Sequence, residues 1–135
     1  MSEQHFQAKV VNTLRAEGIM LQKFQDSLSL GIPDLFVGGA TIGIWIELKW
    51  VEEWPTGQET PLGPRLDLTG NQRSWMLKFH GRPCPCVVMI GSKDGWCFVK
   101  APDIEHDLFQ RPAAMLKRTK SKTNLVGIIQ AYRGR

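Results

Sequence analysis

Residues 31–50 read GIPDLFVGGATIGIWIELKW and contain the clearest strand pattern in the chain. From Ile42 to Trp50 every even position holds a large apolar residue, whereas the odd positions include Glu47 and Lys49. Side chains of a strand alternate between the two faces of its sheet. The pattern therefore predicts a strand with one face in the core and a second, exposed face that carries a carboxylate beside an amine.

The segment before this strand carries a second acid. Asp34 follows Pro33 at the start of a short apolar strand, Leu35 to Val37, which the glycine pair at 38–39 ends. Proline restricts the backbone where the chain enters the sheet, and this helps to determine where Asp34 points. If the two strands pair as a hairpin, Asp34 and Glu47 converge. Two converging carboxylates form a hard oxygen site suited to Mg²⁺ or Mn²⁺.

A lysine beside such a metal site has a chemical use. Hydrolysis of a phosphodiester requires an activated water and neutralisation of the charge that builds on the phosphoryl oxygens, and a divalent ion supplies both. The ammonium of Lys49, on the same strand face as Glu47, can orient the water or stabilise that charge. The short motif also fits a purely structural alternative, in which Glu47 and Lys49 form an ion pair on one strand face and Asp34 is a turn residue after proline. The alternating strand, the short preceding strand and the glycine turn favour the metal site.

The rest of the pattern predicts one α/β domain with a mixed sheet. A helix is expected from Ser2, as N-cap, to Glu17, with Phe6, Val10 and Leu14 at helical spacing. The other expected elements are a weak strand at Ile19–Gln25, a helix from Thr69 to Gly81 with an apolar face of Trp75, Met76 and Phe79, a hairpin of Cys86–Ile90 with Gly95–Val99, short helices over 102–117 broken at Pro112, and a segment at Thr123–Ala131 that fits strand or helix. Residues 51–68 are rich in proline and glycine and are expected to form an inserted loop.

Charge is unevenly distributed along the 135 residues. The chain carries a formal +4, but residues 111–135 hold seven lysines and arginines and no acid, so residues 1–110 carry −3. A basic end on a mildly acidic body indicates contact with a polyanion or, equally, a solvated tail that keeps the protein soluble.

Cysteines and hydropathy limit the classes of protein that remain. Cys84, Cys86 and Cys97 lack the second ligand pair of a zinc site, so we expect them to be small buried hydrophobes. The beginning MSEQHFQAKV has no signal-peptide core, and no apolar run is long enough to span a bilayer. We therefore expect a cytoplasmic protein without a membrane partner.

The stretch at 31–50, together with LTGNQRSWMLKFHG at 68–81, resembles the PD-(D/E)xK nuclease superfamily. Within it the chain is most similar to the small virus-type replication-repair nucleases and, more distantly, to Holliday-junction resolvases. The resemblance ends near residue 100, and it implies a restriction-endonuclease-like αβββαβ core over 1–100, with a central mixed sheet flanked by helices, followed by an extension with a basic arm over 101–135. It also implies that Asp34 and Glu47 bind the metal, that Lys49 assists the attacking water, and that the backbone carbonyl of Leu48 is a further metal ligand.

Two helix residues are candidate additions to this site. Many members of the family bring a glutamate from the first helix, and Glu3 lies seven residues before Val10, so it faces the same way as the apolar stripe. Glu17 satisfies the same spacing, and Glu3 would also favour the helix dipole. Gln72 matches a glutamine of the family's second helix, but it is equally the third residue of a capping box opened by Thr69. Both interpretations of Gln72 stay open.

The resemblance implies a Mg²⁺- or Mn²⁺-dependent DNA endonuclease without a small-molecule cofactor, selective for branched, flap or junction DNA, in the cytoplasm of a bacterial or phage-infected cell. The resemblance also implies a homodimer, in which two sites would cut the two strands. Basic residues are expected to contact DNA, namely Arg73, Lys117, Arg118, Lys120 and Lys122. The inserted loop is expected to gate the site or contact DNA, with Trp54 as its candidate for base stacking. The alternatives are a non-catalytic DNA-binding or assembly module with the nuclease fold, and a restriction-type endonuclease that reads sequence.

Overall fold

A five-stranded mixed sheet forms the centre of the protein in a computed structural model, which describes residues 1–25, 30–38, 43–81, 84–120 and 127. The strands lie in the sheet in the order of the chain: β1 Leu21–Lys23, β2 Leu35–Gly38, β3 Gly43–Trp50, β4 Cys86–Ser92 and β5 Gly95–Lys100. The helices are α1 Glu3–Ala16, before β1, and α2 Gly70–Phe79, between β3 and β4. The predicted α/β class, with a central mixed sheet flanked by helices, is confirmed.

The sheet contains one parallel pair of neighbouring strands. β1 to β3 and β4 with β5 pair antiparallel, whereas β3 pairs parallel with β4. A parallel pair needs a long crossover, and here the crossover contains residues 51–69 and α2. The predicted hairpin is present and is longer than expected, since its ladder continues through Gly91 and Ser92 and leaves only Lys93 and Asp94 in the turn. This hairpin adds β5 to the αβββαβ order of the expected core.

Helix α1 forms where the apolar spacing predicts it. The Ser2 side chain caps the first turn by accepting a hydrogen bond from the backbone N–H of His5, at 3.1 Å. Phe6, Val10 and Leu14 are buried against one face of the sheet, in a core cluster that includes the even-numbered residues of β3. The alternation of β3 was therefore assigned to the correct faces.

The prediction that the odd-numbered face of β3 is exposed was wrong. Glu47 and Lys49 are only 2% and 3% exposed. A second core cluster covers this face, and it is built from α2, the crossover segment and residues that follow β5. Since β3 is an interior strand beside a parallel neighbour, both of its faces are covered.

Helix α2 contributes less apolar surface to this second cluster than its sequence indicated. Met76 is fully buried and Trp75 packs against the cluster, but Phe79 is 49% exposed. The helix ends at Phe79, two residues before the predicted end at Gly81, and His80 is its C-cap. The weak strand predicted at Ile19–Gln25 is also shorter, since β1 spans three residues.

The crossover segment at 51–69 packs against the sheet. Leu62 and Leu66 are buried in the second cluster. The indole Nε1 of Trp54 donates to the carbonyl of Ala113 at 3.0 Å, and Pro61 forms a β-bridge with Pro112. The predicted inserted loop is thus held against residues 101–116 along much of its length.

Residues 101–116 form short helical turns interrupted at Pro112, as predicted. They are a 3₁₀ turn at Ala101–Asp103, a π-helical turn at Glu105–Gln110 and a 3₁₀ turn at Ala113–Met115. Ile104, Leu108 and Ala113 are buried in the second cluster, so packing continues past the expected boundary at residue 100. The Thr123–Ala131 prediction lies outside the described residues, apart from Gly127, as does Ile42 at the start of the predicted strand.

The cysteines behave as small hydrophobes. Cys86 and Cys97 are buried and Cys84 is half-buried, all three as thiols. Burial raises the pKa of the Cys86 thiol to about 12 and that of Cys97 to about 11, which keeps both uncharged at neutral pH. Within the described part of the chain, no helix combines the length and the apolar character needed to cross a bilayer.

Candidate active site

The pairing of β2 with β3 brings Asp34 to Glu47. Leu35 lies opposite Ile46 in the antiparallel ladder, and the same register places Asp34 opposite Glu47. The Asp34 carboxylate accepts a hydrogen bond from the backbone N–H of Leu48 at 2.8 Å. The backbone carbonyl of Asp34 accepts one from the backbone N–H of Phe24, also at 2.8 Å. The two acids therefore converge, as the predicted hairpin requires, and Asp34 is held from both sides.

A close approach of two backbones fixes the chain just before Asp34. Gly31 has φ +87°, and a Cβ at this position would lie 2.1 Å from the carbonyl oxygen of Asn71 in α2. Only glycine fits this space and this conformation without strain. The loop before β2 thus passes directly against the first turn of α2, which carries Gln72.

The side chains of Lys49 and Gln72 both contact one carboxylate oxygen of Glu47. Lys49 Nζ lies 3.3 Å from Glu47 Oε2, and Gln72 Nε2 donates to the same oxygen at 2.9 Å. Lys49 also donates to the backbone carbonyl of Asp67, in the crossover segment. The cluster therefore combines β2, β3, α2 and the crossover in one buried polar site.

The second oxygen of Glu47 has no such partner. Glu47 Oε1 is buried and has no hydrogen-bond partner among the described residues. A buried carboxylate oxygen without a partner is costly and is rare in native proteins. A cation beside it would remove this cost.

The electrostatics of the acids indicate excess negative charge. Burial, and then the charge of Asp34, raise the pKa of Glu47 to about 8, against the opposing effect of Lys49. Burial also raises the pKa of Asp34, although the Leu48 N–H and the Lys49 charge oppose this. One ammonium does not balance the acids, so the site favours an additional cation or proton.

The residues present fit a hydrated magnesium-type ion. Among the described residues, no group of three His, Cys, Asp or Glu side chains is placed to bind one ion together. Mg²⁺ is commonly held by only one or two protein carboxylates and keeps several waters. Asp34 and Glu47, with the unpaired Oε1, match that donor set.

Glu3 faces this site and Glu17 does not. Burial raises the pKa of Glu3, Lys49 lowers it, Asp34 raises it and the backbone of Trp50 lowers it. Glu17 is the C-cap of α1, about 21 Å away along the axis at about 1.5 Å per residue. Of the two glutamates, Glu3 is therefore the one that lies near the candidate site. A metal-binding role for Glu3, or for the Leu48 carbonyl, stays a prediction.

Gln72 satisfies both interpretations of its sequence position at once. Its Oε1 accepts from the Thr69 backbone N–H at 2.9 Å, while the Thr69 hydroxyl accepts from the Gln72 N–H at 3.1 Å, which completes the capping box. Its Nε2 is directed to Glu47. The helix cap thus orients the amide toward the carboxylate.

Gln72→Glu and Thr69→Ala should separate these two roles. Glutamate preserves the capping box but replaces the donor to Glu47 with another acid, so we expect cleavage to fall roughly tenfold or more with little loss of stability. Thr69→Ala should cost about 1 kcal/mol of stability and leave cleavage close to wild type. Denaturant unfolding and single-turnover cleavage measure both. Equal cleavage by Gln72→Glu and wild type would contradict the orienting role.

The predicted DNA-contacting residues lie in different settings. Arg73 pairs with Glu105 and lies over the Phe109 ring at 4.3 Å, while Arg118 lies over the Trp54 ring at 4.3 Å and donates to Ser92 Oγ at 3.1 Å. Both arginines therefore tie elements together, and Trp54 already has a stacking partner. The remaining predicted contacts are exposed or undescribed: Lys117 and Lys120 are exposed, and Lys122 lies outside the described residues.

Asp67 is the site residue that sequence reasoning missed. It contacts Lys49 through its backbone carbonyl, so its side chain carried no signal. The contact depends on how the crossover folds back over β3.

Comparison with known proteins shows little sequence similarity. No protein-family model matches the chain, and no curated protein is significantly similar to it. Among solved structures, it is similar to Hjc, a Holliday junction resolvase of Archaeoglobus fulgidus, with a TM-score of 0.47 and 18% identity, over 88% of this chain and 79% of that one. Function must therefore be inferred from this chain's own residues.

Proposed function

We propose that this protein is a metal-dependent DNA endonuclease, with Asp34 and Glu47 as metal ligands and Lys49 as the catalytic cation. One observation carries the proposal. A buried carboxylate oxygen, Glu47 Oε1, lacks a hydrogen-bond partner among the residues that the structure describes, at the centre of a cluster that also contains Asp34 and Lys49. The sequence resemblance to the PD-(D/E)xK nucleases points to the same residues.

Each residue of the cluster has a role in this proposal. A bound Mg²⁺ or Mn²⁺ would supply an activated water and neutralise charge on the scissile phosphate. Lys49, held between Glu47 and the Asp67 carbonyl, orients the water or stabilises the developing phosphoryl charge. Gln72 keeps Glu47 in position, and the Leu48 N–H does the same for Asp34. Glu3, at the beginning of α1, adds a third acid at the edge of the site.

The alternative of a non-catalytic binding module explains the cluster less well. A non-catalytic module needs only a surface that binds DNA. Burial of Glu47, with a raised pKa and with one oxygen unpaired among the described residues, lowers the stability of the fold. Such a cost is common at functional sites. We therefore favour catalysis over binding alone.

Branched, flap or junction DNA is the proposed substrate class. The more distant sequence resemblance to Holliday-junction resolvases supports this class over a restriction-type enzyme. Cutting both strands of a junction would need two sites, and a symmetric dimer would supply them.

Cleavage assays test the proposal directly. Nicked, flapped, four-way-junction and blunt duplex DNA are incubated with Mg²⁺, Mn²⁺ or a chelator, beside Asp34→Asn, whose amide oxygen can still accept from the Leu48 N–H. We expect wild type to cut with either metal and not with the chelator, and Asp34→Asn to be inactive. Binding without cleavage under both metals would favour the module, and equal cleavage by wild type and Asp34→Asn would reject the assigned site.

A further inference from the structure

A cavity of about 240 Å³ lies on the opposite face of the sheet from Glu47, between α1 and the β4–β5 hairpin. Three aromatic residues line it: Phe6, Trp50 and Trp96. The Phe6 and Trp50 rings lie 5.5 Å apart and tilted. We call this cavity the aromatic pocket. Its size and apolar rings suit a flat ring system, such as a nucleobase.

The aromatic pocket has a cationic rim. Lys9 from α1, Lys93 from the hairpin turn and Lys120 from the C-terminal segment line it, and all three are exposed. The described lining includes no Asp or Glu. Glu52 stands nearby, but its carboxylate accepts from Trp50 Nε1 at 2.7 Å and lies 3.8 Å from the Met1 amine. Three ammonium groups around an aromatic cavity are complementary to an aromatic ring that carries phosphates.

The pocket begins where the candidate active site ends. Trp50 follows Lys49 directly in β3, and alternation places their side chains on opposite faces of the sheet. Glu3 lies between the two sites, because it is one turn before Phe6 in α1 and close enough to Lys49 and to the Trp50 backbone for both to lower its pKa. A strand that passes the end of β3 can therefore reach both sites.

We propose that the aromatic pocket binds one unpaired nucleotide of the DNA strand that is cut at Asp34, Glu47 and Lys49. The base stacks against Trp50, the partly exposed ring of the three, above the buried Phe6 and Trp96, and Lys9, Lys93 and Lys120 contact the adjacent phosphates. Because a paired base must first leave its stack, at a free-energy cost, the pocket favours DNA with unpaired nucleotides near the scissile bond. The identity of the strand rests on the proposed nuclease function.

Binding in the presence of a chelator tests the pocket without cleavage. The ligands are a hairpin duplex with a single-stranded extension, the same DNA with abasic sugars in the extension, and a blunt duplex. We expect the wild-type protein to bind the extension with bases about tenfold more tightly than the abasic one, as stacking of a base on aromatic side chains predicts. Equal affinities would overturn the proposal.

Two variants assign the preference to this pocket. Thr13 lines the cavity, so Thr13→Trp should fill it and abolish the preference for bases, whereas Asn12→Trp, exposed on α1 and outside the lining, should retain it. Lys9→Ala with Lys93→Ala should lower affinity and reduce the salt slope by about two, and Lys23→Ala on β1 should change neither. Thermal unfolding midpoints confirm that each variant is folded.

The outcomes separate the two proposals. Absence of cleavage with every metal, but a retained preference for bases, would reject the nuclease function and leave the pocket standing. Equal binding of base and abasic DNA with intact cleavage would reject the pocket alone. A Thr13→Trp variant that keeps the full preference, or a double lysine variant that binds like wild type, would also overturn it.

Discussion

Lys49→Met should lower the single-turnover cleavage rate by about 10²–10³-fold at saturating Mg²⁺, the size of effect seen when one charge-stabilising donor is removed from an active site. Methionine keeps most of the side-chain volume in this buried position but removes the ammonium beside Glu47. Affinity for DNA should change little, because Lys49 is only 3% exposed and adds little to the charged surface that DNA meets. The rate constant and the dissociation constant are measured on the same flapped substrate.

Lys78→Ala is the matched control for this loss of charge. Lys78 is exposed on α2, so its removal should leave the cleavage rate near wild type. Denaturant unfolding of both variants tests whether a lower cleavage rate arises from loss of the folded structure. A Lys49→Met rate within threefold of wild type would contradict a catalytic role for the ammonium.

In the presence of a chelator, stability should fall as pH rises from 5 to 8. The unfolded chain loses the Glu47 proton near the ordinary value of 4.5, whereas the folded protein holds it until its pKa of about 8. Between these values the folded state binds more protons, so the free energy of unfolding decreases by up to about 1.4 kcal/mol per pH unit, on the order of 4 kcal/mol in all. The raised pKa of Asp34 acts in the same direction. Urea unfolding at a series of pH values measures this change.

Two comparisons sharpen this pH prediction. Glu47→Gln should flatten the pH dependence, while Glu59→Gln, at an exposed position in the crossover segment, should not. Mg²⁺ should restore stability at pH 8 and have little effect at pH 5, because it binds the folded, deprotonated site. A free energy of unfolding that is constant from pH 5 to 8 without metal would contradict the raised pKa values of Asp34 and Glu47.

Local patterns predicted much of the fold correctly. The alternation at 42–50 depends only on the two-residue period of a strand, so it placed Glu47 and Lys49 side by side without knowledge of the fold. The apolar spacing and the cap at Ser2 predicted α1 in the same way. The glycine pair at 38–39 of the sequence suggested the pairing of β2 with β3, and that pairing is present.

Predictions that depended on distant parts of the chain were less complete. The odd face of β3 looked exposed because the residues that cover it lie in the crossover segment and in 101–116. Gln72 fitted two interpretations, since only the packing of α2 over β3 shows that both contacts form together. Arg73 and Arg118 looked like phosphate contacts, yet their aromatic, acidic and hydroxyl partners lie 24 to 64 positions away in the chain and could not be identified from spacing.

The amino-acid sequence alone pointed to the residues that we propose carry the chemistry, because the identity of Asp34, Glu47 and Lys49 and their strand spacing are local properties. Tertiary structure decided the environment of those residues. Only the assembled core buries Glu47, leaves its Oε1 unpaired and raises its pKa, because desolvation depends on every element that packs around the group. The same assembly brought Glu3, and not Glu17, to the site, and formed the aromatic pocket at the end of β3.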